Sequence, residues 1–209
     1  MWYFTWILGV LLACAFGIIN VLWLEAQESL DQQSVVLDPL TKLPSRVEFL
    51  GVLENSIEQH HIDHSPFSLL IVSLDAFRTL SQRKKQGAIM DEVVLKLSAL
   101  IQKETRRPLD TIARYDAATF GIILPGADAK TAEPIAERIC KNAVTQIAQK
   151  TDDSVISVGV AEFPVHSTGG TNSTIQDQIK TVLQSADEAA KLAQKQGKNR
   201  FCCAGEATT

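Results

Sequence analysis

The chain has 209 residues, of which 45% are hydrophobic and 21% charged, and its formal net charge is −4 at pH 7. This length accommodates one globular domain with an additional segment. The negative charge and the lack of any Lys/Arg cluster argue against nucleic-acid binding. The four cysteines show neither a CxxC spacing nor a Cys/His pattern, so we expect reduced, unreactive thiols and no metal site.

The first segment, MWYFTWILGVLLACAFGIINVLWLE, predicts a transmembrane helix over residues 1–24. No residue from Phe4 to Leu24 is charged, and about 21 helical residues span roughly 30 Å, the thickness of a bilayer's hydrocarbon core. Trp6 and Trp23 lie near the two ends, where aromatic residues suit the membrane interfaces. A secretory signal peptide would need a basic start and a shorter apolar core, so a retained single-pass anchor is favoured.

The same segment resembles the CydX-type small subunit of cytochrome bd quinol oxidase, a single-helix peptide with the start MWYF-WILG-LLAC-FG. The resemblance covers nearly the whole membrane segment and implies a helix packed against the large oxidase subunits. Haem would lie in that partner, and this chain would bind no cofactor directly. Glu25, which follows the apolar run, is a candidate contact with the oxidase. The alternative is that Glu25 only caps the end of the helix in water.

After a linker over residues 25–37, helices and strands are predicted to alternate through residues 38–203, followed by a tail over 204–209. Apolar residues at helical spacing predict helices over 44–61, 91–103, 132–149 and 175–195. Apolar runs predict strands over 67–74, buried on both faces, and over 155–163, and a last short strand begins at Arg200. This order predicts an α/β sandwich with a mixed sheet on one side and helices over it.

A hairpin is predicted from two apolar strands, residues 111–115 and 120–124. Its connection, Asp116 to Thr119, contains no glycine, although a short hairpin turn usually needs residues that tolerate positive φ.

Five motifs in this region, in order, resemble those of GGDEF domains, the diguanylate cyclase family. They are DPLTKLPSRVEF, SLLIVSLDAFRTL, RPLDTIARYDAATFGIILPG, VISVGVAEFP and ADEAAKLAQKQGKNR. The resemblance implies the ferredoxin-like, nucleotidyl-cyclase version of an α/β fold. An active member joins two GTP molecules, and its carboxylates hold divalent metal against the phosphates.

Several positions depart from the family pattern that supports this chemistry. The family's metal-binding Asp at the end of the first strand is Ser73 here, and the acidic pair of the GGDEF turn falls on Ala118 and Thr119. The glycine pair that lets the nucleotide approach the backbone falls on Asp116 and Ala117. Neither Ala118 nor Thr119 offers an anionic oxygen to a hard cation. We therefore expect a degenerate domain with no catalytic residues, no bound metal and no cyclase activity.

Two further positions bear on the same expectation. Asp75, the second acidic residue of the family's strand motif, is retained. The family's phosphate-binding Lys near the chain end is Gln194 in this sequence.

Arg107 and Asp110 form an R-x-x-D set five residues before the turn, where family members carry a product-binding inhibitory site. The resemblance implies that Arg107 would bind phosphate or the guanine edge and that Asp110 would accept from guanine N–H groups. The alternative is structural, because Asp110 suits a turn before a strand and Arg107 suits a solvated helix end.

Two hypotheses for the whole chain follow from these segments. In the first, an accessory oxidase subunit carries an inactive GGDEF domain that either senses cyclic di-GMP or serves as an interaction scaffold. In the second, the chain is a membrane-tethered regulatory GGDEF protein unconnected with the oxidase. Both place the chain in a bacterial inner membrane with the GGDEF domain in the cytoplasm, where GTP and cyclic dinucleotides occur. Homodimers through the GGDEF domain are compatible with either hypothesis.

Overall fold

A computed structural model describes residues 37–75, 87–105, 109–147, 156–163, 174–197 and 199–205, together with residues 3, 6, 7, 12 and 16–21 near the N-terminus. The chain divides into two compact units, Met1–Val35 and Val36–Thr209.

The described residues of the first unit are helical, and every large apolar side chain among them is exposed. In the part of the chain that the structure describes, no helix has both the length and the apolar composition that a membrane crossing requires. The predicted helix over residues 1–24 falls mostly outside the described residues and stays a prediction. Glu25 and nearly all of the predicted linker also lie outside them.

The second unit contains four helices and five strands among its described residues. In chain order they are α1 (Arg46–Asp63), β1 (Phe67–Leu74), α2 (Gly87–Glu104), β2 (Thr111–Asp116), β3 (Thr119–Pro125), α3 (Ala129–Ile147), β4 (Ile156–Phe163), α4 (Ile175–Lys195) and β5 (Arg200–Cys203). The predicted strand over 67–74, the predicted helix over 175–195 and the hairpin are confirmed. Helices α2 and α3 begin a few residues earlier than their apolar spacing predicts.

The sheet has the strand order β2-β3-β1-β4-β5. Strand β1 lies at its centre and pairs antiparallel with both β3 and β4, whereas β4 and β5 are parallel. This mixed sheet places the β2–β3 turn beside the end of β1, because Ser73 of β1 is paired with Thr119 of β3.

Helices cover both faces of the sheet. Alternate residues of β1 enter two different cores: Leu70 and Val72 pack in the core that contains residues of α2 and α3, and Leu69 and Ile71 pack in the core that contains residues of α1 and α4. The expectation of helices over one side of the sheet is therefore wrong. The same arrangement explains why β1 is apolar at nearly every position and confirms its predicted burial on both faces.

Helix α4 lies unusually close to β4 at Gly159. A Cβ atom added at Gly159 would overlap the backbone O of Ala186 and the backbone N of Ala190. The small side chains of α4 on this side, including Ala186 and Ala190, allow the approach. The contact fixes the position of α4, which carries Gln194 to the end of β1 near the turn.

Candidate functional site

The β2–β3 turn consists of two residues, Ala117 and Ala118. Neither residue has a positive φ. The register between the two strands shifts between Arg114 and Asp116, and an irregularity of this kind bends a strand and increases its twist. The hairpin therefore closes without glycine.

Hydrogen bonds from three directions hold the turn. Asp116 Oδ1 accepts from the backbone N of Ala117 at 2.7 Å, and Arg114 Nη2 donates to the carbonyl O of Ala117 at 2.9 Å. The backbone N of Leu74, at the end of β1, donates to the carbonyl O of Ala118 at 2.8 Å. Asp116 thus stabilises the turn at a position where the family pattern has a glycine.

Arg114 also connects the turn to Asp38, near the start of the second unit. Its Nη1 donates to both carboxylate oxygens of Asp38, at 3.1 and 3.0 Å, and the two side chains are only 15% and 17% exposed. Thr41 donates its backbone N and its Oγ1 to Asp38 at 2.7 and 2.8 Å. Partial burial alone would raise the pKa of Asp38, but the hydrogen bonds from Thr41 and Arg114 outweigh it and the pKa lies below its usual value.

A cavity of about 420 Å³ lies beside the turn. All five positions at which the family pattern is lost line this cavity, namely Ser73, Asp116, Ala117, Ala118 and Thr119. The sequence prediction that these residues share one site is consistent with this geometry. None of the five except Asp116 carries a charged group.

Asp75 contributes a largely buried carboxylate to the wall of the same cavity, with 8% of the residue exposed. It accepts a hydrogen bond from Ser157 Oγ at 2.8 Å and another from Gln194 Nε2 at 2.9 Å. The sequence identified Gln194 only as a lost lysine, and it missed Ser157. The signal for Ser157 was a polar residue inside an apolar strand, directly opposite Ser73 in the register of β1 and β4.

The other charged groups of the cavity are Asp116, Asp187 and Lys191. Lys191 Nζ forms an ion pair with Asp187, whose hydrogen bond and charge raise the pKa of the lysine. With Asp75, the cavity therefore has three carboxylates against one ammonium, a balance that opposes a polyphosphate. Among the described residues, no group of three or more His, Cys, Asp or Glu side chains is arranged to hold a metal ion.

A second, larger cavity of about 750 Å³ lies between α1, α4 and the turn. Arg46 of α1 lies over the ring of Tyr115, with its Cζ 4.7 Å from the ring centroid. Tyr115 meets the ring of Phe49 edge to face at 5.8 Å between centroids. Neither Arg46 nor Tyr115 departs from the family motifs, so the sequence alone offered no signal for this stack.

The predicted R-x-x-D pair is only partly described. Asp110 immediately precedes β2, and Arg107 lies outside the described residues, so the pair stays a prediction. The end of α2 before this segment is fixed by Glu104, which accepts from Arg138 Nε at 2.9 Å and from Asn142 Nδ2 at 2.8 Å.

Comparison with known proteins gives matches to two family descriptions along the chain. Residues 35–200 match the family described as diguanylate cyclase, GGDEF domain. Residues 1–27 match the family described as membrane bound YbgT-like protein, which supports the small-subunit resemblance of the N-terminus and indicates membrane association.

Individual proteins agree with the first match. The chain is 24% identical over 174 residues to diguanylate cyclase DgcP of Pseudomonas aeruginosa, which covers 81% of this chain and 24% of that protein. It is 27% identical over 180 residues to diguanylate cyclase DosC of Escherichia coli K12, covering 84% of this chain and 36% of that protein. The chain thus spans only about a quarter to a third of the length of these curated relatives.

The fold is shared with solved structures. The GGDEF domain of DgcB from Caulobacter crescentus, solved in complex with c-di-GMP, aligns with a TM-score of 0.67 at 21% identity, covering 82% of this chain and 97% of that one. The family match extends over most of the chain and follows the sheet, its helices and the β2–β3 turn. The chain therefore belongs to the GGDEF domain family of diguanylate cyclases.

Proposed function

We propose that the chain is a membrane-anchored accessory subunit of cytochrome bd quinol oxidase that carries a catalytically inactive GGDEF domain. The proposal of inactivity is supported mainly by the residues that line the cavity beside the β2–β3 turn. Its metal positions are occupied by Ser73, Ala118 and Thr119, and its remaining buried carboxylate, Asp75, is bound to Ser157 and Gln194. Phosphoryl transfer depends on metal-bridged charge neutralisation, and this set of residues offers no such centre.

The oxidase part of the proposal is supported by the N-terminal segment. Residues 1–27 match a membrane-bound family, and the segment resembles the small oxidase subunit closely. The exposed apolar side chains of its described helical residues are suited to lipid or to an apolar partner helix. In this arrangement the anchor crosses the inner membrane once, the GGDEF domain is cytoplasmic, and haem belongs to the large subunits.

Co-purification tests the oxidase part. The full chain, isolated from its native membrane in mild detergent, should carry the haem absorption bands and quinol oxidase activity of cytochrome bd. Replacing Met1 to Leu24 by an unrelated single membrane span should abolish this association while the chain stays in the membrane. Recovery of the wild-type chain without any haem protein would contradict the proposed association with the oxidase.

The inactive domain has two candidate roles, a sensor of cyclic di-GMP or an interaction scaffold. The similar domain of DgcB was solved in complex with c-di-GMP, and the R-x-x-D pair of this chain is the basis for extending that ligand to it. Calorimetric titration of the full chain in detergent should show micromolar binding that Arg107→Ala abolishes. The matched control is Arg106→Ala, which removes the neighbouring guanidinium and leaves the pair intact. If the wild type does not bind at high ligand concentration, the scaffold role remains.

A second candidate function is a membrane-tethered regulatory GGDEF protein without any link to the oxidase. It is supported by the GGDEF match over residues 35–200 alone and treats the N-terminal match as a likeness between membrane anchors. The segment replacement distinguishes the two candidates, because only the second predicts that biological function survives an unrelated anchor.

A further inference from the structure

The outer stripe of helix α1 is formed by Val47, Gly51, Asn55, Glu58 and Ile62, all of which are exposed. These residues follow one another at three or four positions and therefore lie along one side of the helix. We propose that the outer stripe docks a Lys/Arg-rich amphipathic helix on the cytoplasmic side of the chain's membrane partner. The inference rests on the cytoplasmic placement in the proposed function and gives its scaffold role a specific surface.

The two ends of the outer stripe are apolar. Val47 is 73% exposed and Ile62 is 76% exposed, whereas Phe49, Leu53 and Ile57 on the opposite side of α1 are fully buried in the core. The core therefore receives its apolar contribution from α1 without Val47 or Ile62. A partner that covered both side chains would remove this apolar surface from water, which favours association.

Gly51, between these ends, allows a partner to approach the backbone of α1. A Cβ atom added at Gly51 would meet nothing within 4 Å, so no neighbouring side chain in the described part of the chain requires a glycine there. A glycine inside a helix is less favourable than an alanine. Small residues let two helices pack closely, so the position suits a partner helix.

Helix α1 is also acidic. Its four carboxylate residues are Glu48, Glu54, Glu58 and Asp63. Within the part of the chain that the structure describes, none of the four forms an ion pair. The single Lys or Arg of the helix, Arg46, lies over the ring of Tyr115 at the larger cavity and not on the outer stripe. An acidic helix with exposed aliphatic side chains is complementary to a basic amphipathic segment.

The same charge opposes two other occupants of the outer stripe. A second copy of α1 would bring like charges together, and anionic lipid headgroups would also meet carboxylates. Cytoplasmic segments next to the spans of membrane proteins instead carry an excess of Lys and Arg. Val47 and Ile62 are 15 residues apart, or about 22 Å along the helix axis, so the occupant must be an elongated segment such as a helix lying along α1.

Site-specific crosslinking in native inner membranes tests this surface. The photo-crosslinker p-benzoylphenylalanine replaces Asn55 in the full chain, and mass spectrometry identifies the residues to which it is joined. The expected adduct is a segment rich in Lys and Arg that adjoins a membrane span of the partner. Raising the salt concentration from about 0.05 M to about 0.5 M should lower the yield, because salt screens exposed charges. The same crosslinker at Thr145, an exposed position of α3, should not form this adduct.

Substitutions on the outer stripe should lower the yield of the adduct. Val47→Ser combined with Ile62→Ser should lower it about tenfold through lost apolar contact. Glu58→Lys should lower it about fivefold through repulsion of the basic partner. Gly51→Ala should lower it about threefold while raising the melting temperature, because the methyl group strengthens α1 but separates the helices.

The matched control is Leu109→Ser, which removes an aliphatic side chain that is 70% exposed and lies outside α1. This control should leave the yield unchanged. Circular dichroism of each variant verifies that the fold is retained.

Four results at Asn55 would overturn the inference: no adduct, a lipid adduct, an adduct with a second copy of α1, or an adduct with a segment that has no excess of Lys and Arg. An unchanged yield in both Glu58→Lys and the double variant of Val47 and Ile62 would overturn it as well. Haem that co-purifies with the wild type, without an adduct at Asn55, would support the oxidase association and reject the outer stripe. A Lys/Arg-rich adduct from a membrane protein other than the oxidase would support the outer stripe and reject that association.

Discussion

The guanidinium of Arg114 binds Asp38, which lies 76 residues earlier in the chain, and the same guanidinium donates to the turn residue Ala117. One side chain therefore couples the start of the GGDEF unit to the β2–β3 turn. Because the pair is largely buried, we expect its loss to destabilise the unit even though the domain performs no catalysis in our proposal.

The first prediction concerns this pair. Arg114→Ala should lower the free energy of unfolding by about 2 kcal/mol, because it removes charge-assisted hydrogen bonds and leaves the Asp38 carboxylate partly buried. Urea unfolding followed by circular dichroism measures the change. Lys96→Ala, which breaks an exposed pair with Glu92, should change stability by less than about 0.5 kcal/mol. Equal effects of the two substitutions would contradict the structural role of Arg114.

The second prediction is a dependence of stability on pH through Asp38. The pKa of Asp38 is lower in the folded state than in the unfolded chain, so its stabilising contribution is complete above the unfolded value of about 3.9. The contribution is lost as the pH falls through the lowered folded pKa. The difference in unfolding free energy between wild type and Asp38→Asn should therefore be greatest above about pH 5 and shrink toward pH 3.

Urea unfolding at a series of pH values measures that difference. Glu58→Gln, which alters an exposed carboxyl of α1, serves as the control and should show no comparable loss. A difference that stays constant down to pH 3 would show that Asp38 acts through packing and not through its charge.

The third prediction compares two glycines. Gly159→Ala should destabilise the unit by about 3 kcal/mol, because the new methyl group meets the backbone of α4 and forces the helix away from β4. Gly51→Ala, within the exposed face of α1 where a Cβ meets nothing within 4 Å, should instead stabilise by about 1 kcal/mol. Thermal unfolding of the two variants tests the opposite signs, and a stable Gly159→Ala variant would refute the close approach.

The fourth prediction is that the full chain forms no cyclic di-GMP from GTP with either Mg²⁺ or Mn²⁺. The cavity offers Ser73, Ala118 and Thr119 where the reaction needs carboxylates that fix the metal. Chromatographic analysis of long incubations measures the product, with an active diguanylate cyclase as positive control. Product above the protein-free blank that disappears in Asp75→Asn would show that the domain is an active cyclase.

The fifth prediction concerns the thiol of Cys140. Burial first, and the nearby Asp75 charge second, raise its pKa to about 12. At pH 8 only about one thiol in ten thousand would be ionised, and the thiolate is the reactive form. Iodoacetamide should leave Cys140 unmodified in the folded chain and modify it after denaturation, as mapped by mass spectrometry. Native modification of Cys140 as fast as that of the partly exposed Cys203 would contradict its burial.

The order of helices and strands and the family fold could be predicted from the sequence, because the family motifs and the periodicity of apolar residues indicate the same elements. The run from Phe67 to Leu74 has no polar alternation, and the structure explains this by placing helices on both sides of β1. Burial of β1 on both faces was predicted from this run, so the expectation of helices on one side of the sheet only did not agree with it. The early start of α3 was also missed, since Ala129 to Thr131 carry no apolar signal.

For the site, sequence comparison identified which family groups were missing, but not which groups replaced them. The hydrogen bonds of Asp75 join residues 82 and 119 positions away, a relation that only the packing of β4 and α4 against β1 creates. The stack of Arg46 on Tyr115 is likewise a contact between distant segments. Side chains that meet across the sheet leave no local pattern in the chain.

The arrangement of Asp75, Ser157 and Gln194 also has a consequence for substitutions that introduce the family's charged residues into this cavity. The carboxylate at the end of β1 is satisfied by two neutral donors, so it is stable without any cation. An acid at Ser73 alone would place a fourth carboxylate in the same cavity with no metal centre completed around it. Restoring a lysine at Gln194 alone would add a charge partner for Asp75 and still create no metal ligand. On our proposal, catalysis would therefore require more than one substitution in this cavity.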